Sequence, residues 1–597
     1  MIAARVRTLL ATSSALVLAL PVAVAVPAAA LTPAASHATA PPVVTRLSST
    51  SGPTTGGTRV TVTGRHFTKV TSVRFGRTPG LRVRVRSATR LVVTAPAHAA
   101  GVVPVRVVTR HGTSKVVRTG RFRFRATDWV ASTLPRPTDA AAAPTFRAAA
   151  CWSDQHCVAT GTYRQRSGND GAVAWTLTGT RWTAARVPVP ADAATNAAPF
   201  PLQVSCGAAG HCAAYAVYTA HRDGRDQDAD LLWARSAGRW AVTSAPVPAD
   251  ADPGTTGDVW AVTCAGAVCA ARGTYEFGGN ARPALWTLTG GTWSVASAPL
   301  PADAARVDLG AVEGLACGPG ADCAASGLYV ANPGLTSRRV VWRLTGTGWE
   351  ATALPTGPAY AQTVDFATAC GPAVCLAAID LTITGGRGTA LWTLAGGAWT
   401  STDLPLPAGA QAGTGHLAEV ACPASGGCVA VGSYTDTAGD GQGALWSRST
   451  AGTWTVTRTA LPSDAAQNPR VVVRRLACSA QGTCLATGSY VHHSGGSDVD
   501  DTAQYDRLQW TYAAGRWTLL ARFGTTARAA GDPALLSCGS GYCVRFDGYQ
   551  TLWTLDGGRW RRFSPGVSAG LLGLAEGGGV AFGHDTGFRP AAWVYVG

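Results

Sequence analysis

Ala284-Leu285-Trp286-Thr287-Leu288-Thr289-Gly290-Gly291-Thr292-Trp293 places two tryptophans seven residues apart around a glycine-rich turn, and this pattern recurs along most of the chain. Whole copies of the pair stand at Trp175/Trp182, Trp233/Trp240, Trp286/Trp293, Trp342/Trp349, Trp392/Trp399, Trp446/Trp454 (one residue longer), Trp510/Trp517 and Trp553/Trp560. Trp129 stands alone before the first copy and Trp593 alone after the last, and their surroundings match the two halves of a pair. A repeat that begins at one end of an array and finishes at the other is what a closed ring needs. The pattern therefore predicts an all-β chain with a β-propeller over residues 127–597, closed by its N-terminal strand.

Each repeat has four strand-like segments, and its first turn carries two cysteines. The sixteen cysteines form eight local pairs, Cys151/Cys157, Cys206/Cys212, Cys264/Cys269, Cys317/Cys323, Cys370/Cys375, Cys422/Cys428, Cys478/Cys484 and Cys538/Cys543. Each pair brackets four or five residues typical of a hairpin turn, so we expect eight local disulfides. Zinc is the competing interpretation, but most of the spacings are too wide for it. With a ninth repeat that lacks cysteines, the count predicts nine four-stranded blades; eight blades with a degenerate hairpin, or two smaller rings, are the alternatives.

The N-terminus has the features of a secretory signal peptide. Arg5 and Arg7 precede an apolar run from Leu9 to Val26, and three alanines at 28–30 provide a small-residue cleavage site. We expect a signal peptide over residues 1–30, a linker over 31–40, and a protein that is secreted, extracellular or associated with the cell envelope. No second long apolar span follows, so no transmembrane segment is expected.

Residues 41–126 form a separate unit of alternating strands and Gly/Pro turns. Ser51-Gly52-Pro53-Thr54-Thr55-Gly56-Gly57-Thr58 is followed by Val60-Thr61-Val62-Thr63-Gly64, by Phe67 and by Val73-Arg74-Phe75-Gly76. This segment closely resembles the IPT/TIG family, which implies an immunoglobulin-like β-sandwich of a kind common in surface proteins and implies no reaction. The later repeats, as in Cys428-Val429-Ala430-Val431-Gly432, are similar to arrays in uncharacterised secreted actinobacterial proteins, for which no activity is known.

Charge divides the chain into two unlike parts. Residues 41–126 hold fifteen arginines, two lysines and no acidic residue, a formal charge of +17, whereas residues 127–597 carry −3. Arginines alternate along two predicted strands, at Arg82, Arg84 and Arg86 and at Arg121, Arg123 and Arg125. Period two places each set on one sheet face, and such a face attracts polyanions. The expected partner is an anionic envelope polymer or an acidic polysaccharide; no sequence-specific nucleic acid is expected, because no base-reading motif accompanies the charge.

Aspartates concentrate on loops that the predicted topology places on one face of the propeller. Variable hairpins carry Asp223, Asp226, Asp228, Asp498, Asp500 and Asp501, and recurring Pro-x-Pro-Ala-Asp loops carry Asp192, Asp250 and Asp303, with the similar Asp139 and Asp464. Clustered loop carboxylates are typical calcium ligands, which makes the hairpin aspartates metal candidates. The alternative is that the recurring aspartates cap turns and the variable hairpins are solvated. The repeated tryptophans, and the tyrosines six residues after each second cysteine, are interpreted as core rather than as sugar-stacking platforms.

No catalytic residue and no cofactor, calcium aside, is predicted. The sequence favours a monomeric, non-enzymatic binding or scaffold protein held at the envelope by its basic domain, with the propeller presenting a ligand-binding face. The alternative is a carbohydrate-active propeller enzyme, either a glycoside hydrolase or a polysaccharide lyase. Two carboxylates converging about 5–10 Å apart at the ring centre would favour the enzyme.

Overall fold

The structure is a computed structural model of the chain. It describes residues 40–596 apart from 54–55, 97, 99–100, 126–127, 155, 180, 306–309, 321, 333–335, 355–361, 384–385, 403, 493–504, 524–535, 540–541, 547–551, 557–558, 564–569, 575–578 and 585–589. The predicted signal peptide, nearly all of the predicted linker, and Asp498, Asp500 and Asp501 lie outside the described residues. Within them, no helix is both long enough and apolar enough to cross a membrane.

The N-terminal domain is a sandwich of two sheets. Its elements are β1 (Val43–Leu47), β2 (Ser51–Pro53), β3 (Arg59–Arg65), β4 (Val70–Phe75), β5 (Thr78–Pro79), β6 (Leu81–Ser87), β7 (Arg90–Thr94), β8 (Gly101–Thr109), β9 (Gly112–Thr113), a 3₁₀ turn (Arg118–Gly120) and β10 (Arg121–Arg125). The first sheet has the order β1-β3-β7-β6, and the second has the order β2-β10-β8-β4-β5 with β9 paired to β8. Val60 and Val93 of the first sheet meet Phe75, Val107 and Phe122 of the second in one buried core. The expected immunoglobulin-like sandwich is confirmed.

Nine four-stranded antiparallel sheets follow in the described residues. Their elements are β11 (Asp128–Thr133), β12 (Thr145–Ser153), β13 (His156–Arg164), β14 (Asp170–Thr178), β15 (Arg181–Arg186), β16 (Phe200–Cys206), a 3₁₀ turn (Ala208–Gly210), β17 (Cys212–Arg222), β18 (Arg225–Ser236), β19 (Arg239–Ser244), β20 (Asp258–Ala265), β21 (Val268–Phe277), β22 (Asn280–Thr289), β23 (Thr292–Ser297), β24 (Gly310–Cys317), β25 (Cys323–Ala331), β26 (Thr336–Thr345), β27 (Gly348–Ala353), β28 (Gln362–Cys370), β29 (Cys375–Ile383), β30 (Gly386–Ala395), β31 (Ala398–Thr402), β32 (His416–Ala421), β33 (Cys428–Thr435), β34 (Gly441–Arg448), β35 (Trp454–Arg458), β36 (Val472–Cys478), β37 (Cys484–Val491), β38 (Tyr505–Ala513), β39 (Arg516–Phe523), β40 (Leu536–Cys538), β41 (Tyr542–Phe546), β42 (Leu552–Asp556), β43 (Arg559–Phe563), β44 (Gly570–Leu574), β45 (Val580–His584) and β46 (Pro590–Val596).

Eight of these sheets use four consecutive strands each, from β12–β15 (sheet 1) to β40–β43 (sheet 8), and the ninth, the closing sheet, has the order β11-β46-β45-β44. The sheets pack face to face in chain order, with the first strands of neighbouring sheets in contact. The closing sheet packs on sheet 8, where the rings of Tyr595 and Tyr542 lie 4.6 Å apart, and on sheet 1, where Phe582 stacks on Phe146 at 4.2 Å. The ring is therefore closed, and the predicted β-propeller is confirmed.

The N-terminal strand closes the ring through a strand pairing and a tryptophan hydrogen bond that also occurs in sheet 4. β11 pairs antiparallel with β46, so that Trp129 faces Tyr595. The indole N–H of Trp129 donates to the hydroxyl of Thr554 in sheet 8 at 2.8 Å. Trp349, on the fourth strand of sheet 4, donates in the same way to Thr287 of sheet 3 at 3.0 Å. Trp129 thus fills the place of a fourth-strand tryptophan, as the split pair predicts.

The first tryptophan of each pair holds the loop that enters its own sheet. This loop crosses from the outer strand of one sheet to the inner strand of the next. In six sheets the third-strand indole N–H donates to a loop carbonyl, from Trp175 to Pro135, Trp233 to Pro188, Trp286 to Pro246, Trp342 to Pro299, Trp446 to Pro405 and Trp510 to Ala460, at 2.7–3.2 Å. These six rings are fully buried. The interpretation of the paired tryptophans as core is therefore correct for these residues.

All eight predicted disulfides are present and local. They join Cys151 to Cys157, Cys206 to Cys212, Cys264 to Cys269, Cys317 to Cys323, Cys370 to Cys375, Cys422 to Cys428, Cys478 to Cys484 and Cys538 to Cys543. The Cα atoms of each pair lie 3.9–4.2 Å apart, at the base of the hairpin between the first and second strands. Each bridge closes a short loop, so the chain-entropy estimate assigns each about 2 kcal/mol.

Polar side chains on the first strands bind neighbouring sheets together near the ring axis. The side-chain Oε1 of Gln203 accepts the backbone N–H of Val262 in the next sheet at 2.9 Å. At the corresponding place, three residues before the first cysteine of its repeat, Glu419 accepts the N–H of Leu476 at 2.6 Å. Burial raises the pKa of Glu419 to about 7, and the Leu476 N–H and the charge of Arg475 offset that rise only in part.

Trp129→Ala should destabilise the propeller by about 3–5 kcal/mol, because it removes a buried ring and leaves the edge of β46 poorly covered. Urea unfolding followed by near-ultraviolet circular dichroism measures the change. Thr554→Val, which removes only the hydrogen bond, should cost about 1 kcal/mol. A chain lacking residues 128–133 that unfolds at the same urea concentration as the full chain would contradict closure by β11.

Glu419→Gln should stabilise the protein above pH 7 by an amount on the order of 1–3 kcal/mol. The folded pKa lies above the ordinary value of 4.5, so the stability that Glu419 contributes is complete below that value and is lost as pH rises through 7. The amide retains an acceptor for the Leu476 N–H, as Gln203 does for Val262. Unfolding free energies of both proteins from pH 4 to pH 9 provide the test, and a gain that is equal at every pH would rule out the titration of Glu419 as its cause.

Candidate functional site

The outer face of the second sheet in the N-terminal domain carries arginines from three strands. We call Arg74 on β4, Arg106 on β8, and Arg121 and Arg123 on β10 the arginine face. The alternate residues of these strands, including Val73, Val107 and Phe122, are buried in the sandwich, which turns the arginines outward. Arg74 lies directly opposite Arg106 across the ladder, and Arg121 lies opposite Pro104. The sequence predicted Arg121 and Arg123 here but missed Arg74 and Arg106, although Val73-Arg74-Phe75 shows the same alternation.

Like charges face each other on this surface without a neutralising partner in the domain. Arg106 donates its Nε–H to the backbone carbonyl of Ser114 at 2.9 Å. None of the ion pairs found among the described residues involves the N-terminal domain, which has no acidic residue. Like charges at facing ladder positions are destabilising. The facing pair of Arg74 and Arg106 is therefore a source of repulsion that no acidic residue of the domain offsets.

Arg82, Arg84 and Arg86 lie on β6, the edge strand of the first sheet, and all three are exposed. The pairing of β6 with β7 shifts register on both sides of Arg84 and Val85, and Arg82 has a left-handed backbone with φ 49°. Val85 lies opposite the buried Leu91 but is itself 46% exposed at this sheet edge. The strand is therefore irregular, and the expectation that the three arginines share one sheet face stays a prediction. The side chain of Arg125 lies outside the described part of the structure.

The disulfide-bonded cysteines belong to the packed interior of the propeller, in agreement with the structural role predicted for them. The second cysteine of every pair is buried, at Cys157, Cys212, Cys269, Cys323, Cys375, Cys428, Cys484 and Cys543. Cys157, Cys269 and Cys543 each lie opposite a third-strand leucine that shares their apolar core, at Leu177, Leu288 and Leu555, respectively. The bridges thus fill the space between sheets as well as closing the hairpins, and their role is structural.

The recurring loop aspartates bind the tyrosines of the second strands. The phenol hydroxyls of Tyr163, Tyr218, Tyr275, Tyr329 and Tyr490 donate to Asp139, Asp192, Asp250, Asp303 and Asp464, respectively. An arginine completes several of these contacts, as where Arg222 pairs with Asp192 and Arg338 with Asp303. These aspartates anchor the entering loop to the side chains of the second strand, which is a structural role but not the expected capping of their own turns.

One repeat lacks the aspartate, and its tyrosine hydroxyl lacks the corresponding contact. Its loop reads Pro405-Leu406-Pro407-Ala408-Gly409, and the buried hydroxyl of Tyr434 has no hydrogen-bond partner among the described residues. Where the aspartate is present, burial and the bond to Asp139 raise the pKa of Tyr163 to about 12. Burial alone would raise the pKa of Asp192, but bonds from Tyr218, Arg222 and Ser244 outweigh it and lower that pKa. Asp192 is thus stabilised as a carboxylate in a structural role.

The hairpin aspartates are spread along one exposed β-turn. Asp223, Asp226 and Asp228 all lie at the exposed end of the β17–β18 hairpin, where Asp226 accepts a 2.6 Å hydrogen bond from His221. Across the described residues, no group of three or more His, Cys, Asp or Glu side chains is close enough to hold a metal ion. Calcium binding by these residues stays a prediction.

Most first strands of the sheets share a feature that the sequence pattern did not predict. In them the ladder skips one residue, a β-bulge that leaves that residue unpaired: Arg147, Leu202, Trp260, Glu313, Ala418 and Arg474. Each stands four residues before the first cysteine of its repeat. Bulges re-aim a side chain out of the ladder. Because these strands are the innermost of their sheets, we call their exposed side chains the inner wall of the ring.

Apolar exposure in the propeller is confined to one part of the inner wall. Among the described propeller residues, the exposed large apolar side chains are Phe200, Leu202 and Trp260, on the first strands of sheets 2 and 3, at 39, 44 and 39%. The guanidinium carbon of Arg147 lies 3.9 Å from the ring centre of Phe200. The indole N–H of Trp260 donates to Asp258 at 2.9 Å. Trp260 belongs to no Trp pair, and that departure from the repeat was the available signal.

Comparisons with solved structures find distant similarities, at TM-scores below 0.3 for the three proteins named here. No curated protein matches the chain. It is similar to the β-propeller domain of the Trilobed protease from Pyrococcus furiosus (7% identity, 64% of this chain and 97% of that one, TM-score 0.28). It is also similar to an alpha-L-arabinanase of Penicillium chrysogenum complexed with arabinobiose (15%, 50% and 95%, 0.27) and to the WD40 domain of SCAP from fission yeast (10%, 70% and 96%, 0.29).

The N-terminal domain has a specific match. Residues 42–124 match the family model of the IPT/TIG domain. Together with the two-sheet sandwich built by β1–β10, this match confirms the IPT/TIG domain that the sequence motifs predicted, followed by a disulfide-bonded repeat array.

Proposed function

We propose that this chain is a secreted, non-enzymatic binding protein that its IPT/TIG domain holds on an anionic polymer of the cell envelope. The observation that carries the proposal is the pairing of Arg74 with Arg106 across a ladder, in a domain that contains no acidic residue. A polymer with closely spaced phosphates or carboxylates offsets this repulsion, and arginine is well suited to both groups.

The edge strand extends the basic surface. Arg82, Arg84 and Arg86 are exposed on the first sheet, so a long polymer meets cations on both sheets of the sandwich. The propeller carries only −3 against +17 and is too weakly charged to neutralise the domain. Most of the positive field is therefore available to an external polyanion, over a range of about 8 Å at physiological salt.

The proposed location at the cell envelope requires that the protein is exported from the cell. Eight short-range disulfides suit an oxidising compartment, and the N-terminal sequence has the pattern of a signal peptide. The propeller, held rigid by these bridges, serves as the scaffold that presents a second binding surface.

Reversing charge on the arginine face should weaken binding to immobilised wall teichoic acid. The double variant Arg121→Glu/Arg123→Glu should lower retention at 50 mM NaCl and reduce the slope of log affinity against log salt concentration by roughly 2. Surface plasmon resonance with the full chain from 50 to 500 mM NaCl measures both quantities.

Arg181→Glu/Arg239→Glu provides the matched control. Both residues are exposed on the propeller, and the net charge changes by the same amount, so this variant should bind as the unmodified protein does. Equal losses of binding in the two double variants would show that binding depends on net charge alone and not on the arginine face. Binding that does not respond to salt would exclude the arginine face as the anchor.

A further inference from the structure

We propose that the inner wall at sheets 1–3 is a binding site for a uronic acid unit, a pyranose ring that carries a carboxylate. The residues are Arg147, Phe200, Leu202, Trp260 and Asp258. This site is distinct from the arginine face and gives the propeller its own ligand.

The side chains at three bulges are exposed, although the fold does not require large residues at these positions. Arg147, Leu202 and Trp260 occupy the bulge of three successive first strands. Ala418, at the same place in sheet 6, shows that a small residue satisfies the fold equally well. A tryptophan that is 39% exposed gains little stability from packing, so its presence at a bulge points to a ligand.

Two contacts hold the site in a fixed geometry before any ligand arrives. Asp258 accepts the indole N–H of Trp260 at 2.9 Å, and the hydroxyl of Tyr215 donates to the Trp260 carbonyl at 3.0 Å. Ring and backbone are both tethered. The guanidinium carbon of Arg272 lies 6.0 Å from the centre of the Trp260 ring, and the exposed part of the ring provides the apolar platform. Rigid aromatic platforms bind ligands at low entropic cost.

The polar groups of Arg147 and Asp258 indicate which kind of sugar ring the site binds. In the part of the chain that the structure describes, the guanidinium of Arg147 stacks on Phe200 and has no ion pair or hydrogen bond, so its planar N–H groups are available to a carboxylate. Asp258 engages Trp260 through Oδ2, which leaves Oδ1 to accept a hydroxyl. A carboxylate, hydroxyls and an apolar ring face occur together in a uronic acid, whereas a phosphate or a simple carboxylate lacks the ring face that the platform would bind.

The position along the strands gives the route of entry. Phe200 and Asp258 begin β16 and β20, where the long loops deliver the chain, and Leu202 and Trp260 follow two residues later. A saccharide therefore enters from the face of the Tyr–Asp contacts and meets Phe200 and Asp258 first.

Tryptophan fluorescence of the full chain separates this site from the arginine face, because residues 41–126 contain no tryptophan. We would titrate trisaccharides of galacturonic, mannuronic and guluronic acid, with neutral maltotriose as comparison, at 150 mM NaCl, and measure emission and acrylamide quenching. At least one uronate trimer should protect a tryptophan from quenching, and Trp260→Ala should abolish that change. Arg147→Gln should weaken the affinity for the uronate roughly tenfold.

Arg474→Gln is the matched control, since Arg474 is an exposed arginine at the same bulge position in sheet 7 and should leave the affinity unchanged. The substituted residues are exposed, so melting temperatures near that of the unmodified protein should accompany each loss. Three results would each overturn the proposal: no response to any uronate trimer, equal affinity for maltotriose, or a response that survives Trp260→Ala. Polyphosphate should bind the full chain without altering the tryptophan signal, which keeps a failure of this site distinct from a failure of the arginine face.

Discussion

The hydrogen bond from the third-strand indole to the carbonyl of the entering loop is the contact on which the ring depends. A propeller must return the chain from the outer edge of one sheet to the inner edge of the next, and that crossing segment has no ladder of its own. Its buried carbonyls still need donors. One tryptophan, as in Trp286 to Pro246, supplies the donor and fills the space between two sheets. The Tyr–Asp contact fixes the same loop a few residues later, so each blade locks the strand that begins it.

A second constraint links the bulges of the first strands to the residues that face them on the second strands. In several sheets the bulge on the first strand brings a backbone carbonyl close to the second strand, where a side chain would collide with it. A Cβ at Gly161 would lie 2.1 Å from the carbonyl of Thr145, and one at Gly432 would lie 1.8 Å from that of His416. In these sheets a glycine four residues after the second cysteine accompanies the bulge, although sheet 2 has Ala216 there, and the bulge leaves one side chain outside the ladder. The same distortion that costs the blade a ladder pair gives the protein its inner wall.

Much of this architecture could be predicted from the sequence because it repeats. The split pair of Trp129 and Trp593 gave the closure, the cysteine spacing gave the disulfides, and the Thr/Gly-rich motifs gave the IPT/TIG domain. What could not be predicted depends on local departures from regularity. The register shifts on both sides of Arg84 and Val85 interrupt the regular ladder that the alternation of Arg82, Arg84 and Arg86 implied. Bulges are likewise invisible to a period-two pattern, so Trp260 could be noticed as unpaired but not placed at the ring axis.

The two proposed surfaces would bind by different physics. The arginine face would act through many charges that no acid of its own domain neutralises, so it would attract any dense polyanion over about a Debye length and discriminate little. The site proposed at Arg147, Leu202 and Trp260 would act only on contact, through the guanidinium of Arg147 and the tethered ring of Trp260. Strand β10 ends at Arg125 and β11 begins at Asp128, and a connection this short spans roughly 10 Å at most. A polymer captured by the basic domain would therefore stay tethered to the propeller, and a weak, selective contact there would suffice to choose among the polymers that charge alone has collected.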